Sequence, residues 1–295
     1  MNLIRYFNIS WASSHDGPGK RVVLFLQGCN LACTWCHSPH SQPASSPLLF
    51  FPNLCMQCER CAAVCKHGVH HFANGIHSVA HDLCVKCGSC IDACPVSSVH
   101  KGGALCLPTK EVEVTQLFSE LEPQLKLLKN NGGITFSGGE PLLQSKPLAE
   151  LARLCKAKGY HVAVETSGVV DTLNVEPLLP YVDYWLVGFR LLQGHSKGVV
   201  PAMEVMVRRF LETVRHAGGS SIIARIPIIP NITDNKEYLD QVRLLTQEFY
   251  IDKVELLPHN PESDHYYRAL GVPPLAIYNK EQSETAFQNA NRIFT

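Results

Sequence analysis

The sequence predicts an α/β protein organised on a parallel sheet or barrel, with a small cysteine-rich insert near its N-terminus. Three observations predict it. Beyond Gly103, short apolar runs alternate with amphipathic stretches, as strands do with crossover helices. Ahead of the insert, residues 21–26 form a β-branched and apolar run that stops at Gln27-Gly28. From Cys29 to Cys94 lie all thirteen cysteines except Cys106 and Cys155, in three tight groups.

The elements follow in order. Asp16-Gly17-Pro18-Gly19 is a turn ahead of the first strand. That strand delivers Cys29 at its C-terminal end, where barrels and wound sheets build their sites. Residues 41–52 are rich in Pro and Ser and mark a boundary, which divides the chain into 1–50, an insert at 51–101 closed by Gly102-Gly103, and 102–295. Apolar residues at helical spacing (Val114, Leu117, Phe118, Leu121, Leu125, Leu128) predict a helix over 114–128, ended by Asn130-Asn131-Gly132-Gly133. A strand at 134–136 leaves through Ser137-Gly138-Gly139-Glu140-Pro141. A helix at 148–158 precedes strands at 161–164 and 182–187, and a helix at 203–216 precedes strands at 222–229 and 253–257.

At 295 residues the chain is long enough for one large domain with a small insert. Its 26 basic and 26 acidic residues balance, which argues against a nucleic-acid or polyanion partner. No apolar run approaches the roughly 20 residues that span a bilayer, and the first residues lack the zones of a signal peptide. A cytoplasmic setting is therefore expected, where thiols stay reduced and clustered cysteines read as metal ligands. Cys106 and Cys155 read as ordinary thiols.

Cys29, Cys33 and Cys36 form CxxxCxxC, a compact loop suited to one iron–sulfur cluster. Three thiolates on a cube of four irons leave one iron open, where a substrate can bind. A structural zinc loop or three unrelated buried thiols are the alternatives. The insert holds a repeat: Cys55, Cys58, Cys61 and Cys65, then Cys84, Cys87, Cys90 and Cys94 followed by Pro95. This is the spacing of two-cluster bacterial ferredoxins, in which the fourth cysteine of each run ligates the other cube. The expected sets are thus Cys55, Cys58, Cys61 and Cys94 for one cube, and Cys84, Cys87, Cys90 and Cys65 for the other. Two zinc knuckles are the alternative. His70, His71 and His77 in the insert receive no role.

Taken together, these motifs resemble those of radical S-adenosylmethionine (SAM) enzymes, and within them the activating enzymes of glycyl radical enzymes. The resemblance is carried by Asp16-Gly17-Pro18-Gly19, by Phe25 to Cys29 and the CxxxCxxC with Trp35, and by His37-Ser38-Pro39. Further along it is carried by Ser137 to Gln144, Glu165-Thr166-Ser167-Gly168, Arg225 to Pro230 and Glu255 to Pro258. With its insert, the overall pattern is most similar to the YjjW-type activases.

The resemblance implies a partial (β/α) TIM-like barrel of the radical SAM type, carrying an inserted α+β ferredoxin-like domain. It also implies three [4Fe–4S] clusters and bound SAM, cleaved by one electron to methionine and a 5′-deoxyadenosyl radical. That radical takes a hydrogen atom from a glycine of a large partner enzyme, with a flavodoxin or ferredoxin as reductant. By motif position, Gly138, Gly139 and Glu140 meet the amino group of SAM, Arg225 meets its carboxylate, and Glu165 and Thr166 lie nearby, a structural cap being the competing reading of those two. Where the family commonly has Asp-x-Lys the chain has Gly188-Phe189-Arg190, so a cation site is in question while Arg190 supplies positive charge. His259 is a candidate for a histidine found one position later in relatives. The two insert clusters suggest an electron relay, against a structural or docking role. Another radical SAM enzyme or peptide maturase, or a ferredoxin-like electron carrier, are the alternative functions.

Overall fold

The computed structural model describes residues 2–99, 103–190, 200–260, 264–273 and 278–294; Lys101 and Gly102, at the expected end of the insert, lie outside the described residues. The chain opens with an antiparallel pair, β1 (Leu3–Ser13) and β2 (Lys20–Leu26). Four short strands follow: β3 (Leu49–Phe50), β4 (His70–Ala73), β5 (Ile76–Val79) and β6 (Leu105–Cys106). Then come β7 (Lys110–Glu113), β8 (Gly132–Gly138), β9 (His161–Thr166), β10 (Tyr184–Val187), β11 (Ser221–Ile228) and β12 (Lys253–Pro258). The helices are α1 (Arg60–Val64), α2 (Ser89–Ala93), α3 (Pro95–Val99), α4 (Val114–Leu128), α5 (Ser145–Ala157), α6 (Val200–Ala217), α7 (Lys236–Glu248), α8 (Asp264–Ala269) and α9 (Lys280–Phe294).

Eight strands form the main sheet, in the order β12-β11-β10-β9-β8-β2-β1-β7. From β2 through β8 to β12 the neighbours are parallel and in chain order, so every crossover steps the same way. A doubly wound sheet reverses its order at a switch point. The steady order fits a partial (β/α) barrel, and β1 and β7 extend its β2 edge antiparallel.

Alternation along the strands sorts side chains to two buried faces, as parallel sheets require. Val22, Leu24, Ile134, Phe136, Val162, Val164, Trp185 and Ile222 belong to the main core with the apolar sides of α4 and α5. On α4 those are Leu117, Phe118, Leu121 and Leu125, and on α5 Leu148, Leu151, Ala152 and Cys155, spaced three or four residues apart. Each such side chain contributes about 2 kcal/mol by leaving water. The opposite face carries a smaller cluster of Ala163, Leu186 and Ile223. The fully buried Arg21 also lies there, donating to Thr135 Oγ1 at 3.0 Å and to the carbonyl of Ile134.

The sequence places most of these elements, and the differences have physical reasons. Gly132 and Gly133, which read as a helix stop, begin β8. A Cβ on Gly132 would sit 1.6 Å from the Lys20 carbonyl oxygen, and one on Gly133 2.0 Å from that of His161. Glycine is there because β8 is squeezed between two backbones. β1, β7, α7, α8 and α9 are not among the elements expected from the sequence.

The segment between β3 and β6 folds on its own apolar cluster, Leu48, Phe50, Val69, Ala104 and Leu105 with Cys61, Cys90 and Cys94. β3 pairs with β6 at its root, and β4 and β5 form a hairpin. Its two cysteine runs fold alike. Gln57 (φ 58°) and Glu59 (φ 60°) in the first run match Lys86 (φ 62°) and Gly88 (φ 84°) in the second, all left-handed. Cys65 and Cys94 both leave their helix extended, at φ −81°.

Replacing Gly132 with Ala is expected to force β2 and β8 apart and destabilise the chain by about 2 kcal/mol. Urea unfolding checks this: the midpoint should fall while the slope stays constant.

Candidate active site

The C-terminal ends of the parallel strands open into a cavity of about 310 Å³. Strand alternation sets its floor. Ser137 and Glu165, each one residue before the end of its strand, line it with Arg225 of β11, and Arg225 is paired in register with Glu255 on β12. Ser137 Oγ donates to Glu165 Oε2 at 2.7 Å, Arg225 Nε lies 3.3 Å from Glu165 Oε1, and Arg225 Nη1 lies 3.4 Å from Glu255 Oε2. Arg225 also donates to the carbonyl of His15 and is 5% exposed, so its charge is held between two carboxylates rather than by water.

The wall above this floor is the loop of Cys29, Cys33 and Cys36, all three of which line the cavity. The loop is pinned by backbone bonds from Gly28 N to Ser41 O (2.8 Å) and Cys29 N to Gln42 O (3.0 Å). Asn30 Nδ2 ties it to Val169 O at 2.6 Å, and Trp35 anchors it in the main core. Burial pushes all three thiols up, Cys29 to about 12, so a cation that replaces their protons is what makes them thiolates.

The glycines of the β8 turn answer to a neighbouring backbone. A Cβ on Gly138 (φ 110°) would sit 2.3 Å from Leu26 N, and one on Gly139 2.1 Å from the Gly28 carbonyl oxygen. Gly139 N donates to Leu26 O at 2.9 Å and Glu140 N to Gly28 O at 2.8 Å. The turn therefore lies flat against the start of the cysteine loop, with both glycines lining the cavity.

The Glu140 carboxylate is buried and fully engaged. It accepts from Thr166 Oγ1 (2.7 Å), from Ser167 N (2.9 Å) and Oγ (2.7 Å), and from Leu142 N (3.3 Å). Burial raises its pKa, and these four donors work against that rise. Thr166 Oγ1 accepts in turn from Gly168 N at 3.0 Å. Thr166 and Glu140 thus brace one loop to another, and both line the cavity together with Glu165.

Arg190 lines the cavity near Cys33 and Cys36, and its Nη1 is buried without a hydrogen-bond partner among the described residues. A Cβ on Gly188 would come 3.2 Å from the guanidinium carbon, so Gly188 leaves the arginine its room. His259 stands outside the cavity lining. Its Nδ1 is 3.2 Å from Ser283 Oγ, and its ring meets His37, which does line the cavity, at 5.8 Å between centroids. Burial, with His259 and Arg190 nearby, pulls His37 down to about 4, so it is neutral near pH 7.

Sequence reasoning gave no role to Ser137, Ser167, His37 or Glu255. Each lies inside a motif quoted above, so the signal was position; the bonding needed coordinates.

In the insert, one hollow is lined by Cys55, Cys58, Cys61 and Cys94, and a second by Cys65, Cys84, Cys87 and Cys90. Each hollow takes three cysteines from one run and the fourth from the other. All thirteen cysteines are free. Four soft donors around one hollow suit a thiolate-bound cluster, and the orphaned Arg190 cation suits the negative charge of thiolates in the main cavity.

A family model described as a 4Fe-4S single cluster domain matches residues 15–193. The indoleacetate decarboxylase activating enzyme of Tractidigestivibacter scatoligenes is 30% identical, over 86% of this chain and 82% of that protein. The isethionate sulfite-lyase activating enzyme of Oleidesulfovibrio alaskensis is 30% identical, over 95% and 92% respectively. The trans-4-hydroxy-L-proline dehydratase activating enzyme of Clostridioides difficile is 29% identical, over 97% and 94%.

Replacing Glu140 with Ala strands four donors in a dry site and is expected to cost about 3 kcal/mol or more. Glu140→Gln keeps one acceptor oxygen and should cost less. Denaturant midpoints of the two variants check the order.

Proposed function

The chain belongs to the activating enzymes of glycyl radical enzymes, and from that premise we propose how its residues divide the work. As a member, it is an oxidoreductase of the radical SAM type that generates a glycyl radical on a partner enzyme. The observation that carries the reading is the convergence of Cys29, Cys33 and Cys36 with Gly138, Gly139, Glu165, Arg190 and Arg225 on one cavity. When bound, a cube with an open iron supplies the electron that cleaves SAM to methionine and a 5′-deoxyadenosyl radical.

The chain's own residues bind, orient and exclude water. Cys29, Cys33 and Cys36 hold the cube. Gly138 and Gly139, pressed flat against the backbone at the start of the cysteine loop, present their own backbone to the amino group of SAM. Arg225, aligned by Glu165 and Glu255, offers its charge to the SAM carboxylate. Arg190 balances the thiolates beside it. Glu140 and Thr166, which also line the cavity, keep the glycine turn in place, and His259 acts through His37.

The insert is read as a ferredoxin-like domain, residues 51–101, carrying two further cubes on the crossed cysteine sets. The two hollows and the matched left-handed positions support that reading. It groups the chain with the larger, YjjW-type activases. The two cubes would pass electrons from a flavodoxin or ferredoxin towards the SAM cluster. A cytoplasmic setting accords with the absence, among the described residues, of any helix long and apolar enough to cross a membrane.

The test is anaerobic. The reconstituted, reduced protein is mixed with SAM and a candidate glycyl radical enzyme, and 5′-deoxyadenosine and the EPR spectrum are recorded together. A glycyl doublet on the partner, lost with Cys33→Ala, is expected. No deoxyadenosine from fully loaded protein would refute the reading. Iron analysis gives a second expectation: about twelve irons per chain, falling to about eight when Cys29, Cys33 and Cys36 are all Ala.

A further inference from the structure

The two cysteine hollows are joined by a pair of imidazoles. His77 lines the hollow of Cys55, Cys58, Cys61 and Cys94, and His70 lines that of Cys65, Cys84, Cys87 and Cys90. His70 Nδ1 lies 3.1 Å from His77 Nε2, and His77 Nδ1 lies 3.4 Å from Cys55 Sγ. Both residues are 6% exposed. The His77 ring is stacked on Phe72 at 4.2 Å and packed against Phe50 at 4.3 Å, so its orientation is held on two sides.

The proton count gives this chain a direction. A neutral imidazole has one N–H and one lone pair. A ligand thiolate at Cys55 only accepts, so the His77 nitrogen facing it, Nδ1, carries the proton. His77 Nε2 must then accept from His70 Nδ1–H. The remaining nitrogen, His70 Nε2, is buried without a hydrogen-bond partner among the described residues, as a lone pair there can be. The reverse arrangement would set a lone pair 3.4 Å from the Cys55 thiolate; in the arrangement chosen, the Nε2 lone pair lies farther from sulfur, 3.9 Å from Cys61 Sγ, and is taken up by His70 at 3.1 Å.

We propose that His70 and His77 form a one-way hydrogen-bond relay that donates to Cys55 and holds the cluster of that hollow at a higher potential than its twin. The proposal rests on the reading that the insert holds two cubes. Hydrogen bonds to ligand sulfur favour the more negative, reduced state and are among the determinants of cluster potential. In their other hydrogen bonds to sulfur the hollows correspond. Each has a backbone N–H at its first cysteine, Gln57 N to Cys55 Sγ at 3.5 Å and Lys86 N to Cys84 Sγ at 3.4 Å. Each also has one serine hydroxyl, Ser97 at Cys94 and Ser89 at Cys87. Charge differs too, Glu59 lining the Cys55 hollow and Lys86 its twin, but both residues are exposed and their charges are screened by water; among the buried bonds to sulfur, the imidazole is the difference. It makes the Cys55 cluster the first of the pair to take an electron.

The experiment uses the full, reconstituted chain. Iron, sulfide and Mössbauer analysis first count the cubes, and Cys58→Ala identifies the signal of the Cys55 cluster. Fewer than two cubes in the insert would refute the reading itself, before any potential is compared. With the cubes in place, EPR-monitored redox titration follows. His77→Phe is expected to weaken reduction of the Cys55 cluster about tenfold, ~59 mV for one electron, and to leave its twin unmoved. His77→Asn, which keeps an N–H near the Nδ1 position, should restore part of the loss. Equal shifts in both clusters, or none in either, would overturn the proposal. A measurement on the unmutated protein guards against variants that fail to assemble. With 15N-histidine, hyperfine spectroscopy should show a weak nitrogen coupling on one reduced insert cluster; coupling on both or on neither would overturn the proposal.

Discussion

Gly139 N–H bonds Leu26 O, Glu140 N–H bonds Gly28 O, and a Cβ on Gly138 or Gly139 would overlap the backbone of residues 26–28. This contact locks the turn after β8 against the loop that opens at Cys29. Glu140 extends the lock to the end of β9 through Thr166 and Ser167. Three loops from neighbouring strands are thereby fixed to each other before any ligand arrives. Such preorganisation is what a radical site requires, since a loose wall admits water.

Charge is arranged in layers on this frame. The middle of the inner face is apolar, with Ala163, Leu186 and Ile223, and gives way at the strand ends to Ser137, Glu165, Arg225 and Glu255. Arg225 lies within ion-pair reach of Glu165 and Glu255, whereas Arg190 lies beside Cys33 and Cys36. Each also keeps one buried nitrogen without a hydrogen-bond partner among the described residues, Nε of Arg225 and Nη1 of Arg190. Both arginines therefore retain donor capacity towards an anionic ligand of the cavity. The insert repeats the theme at smaller scale, with its cysteines shared crosswise between two hollows.

Much of this was legible in the sequence where spacing alone carries the chemistry. The three-cysteine loop, the duplicated run and the strand–helix alternation are local patterns, and each sits in the fold at the place its spacing implies. Gly132 and Gly133 misled as a helix stop because the demand for glycine came from Lys20 and His161, far away in sequence. β1 was missed because Ile4 and Tyr6 bury while much of the strand beyond them is partly exposed, which blurs the alternation. The partners of Glu140, the bracing role of Thr166 and the His70–His77 pair depend on side chains that only folding brings together.

The central claim is that Cys29, Cys33 and Cys36 hold a cube whose open iron takes SAM directly. Electron–nuclear double resonance on the reduced protein, with SAM carrying a 13C carboxylate and a 15N amino group, tests it most directly. Hyperfine coupling from both labels to one cluster, absent when Cys33 is Ala, is the predicted result. Bound SAM with no coupling to any cluster would contradict the account.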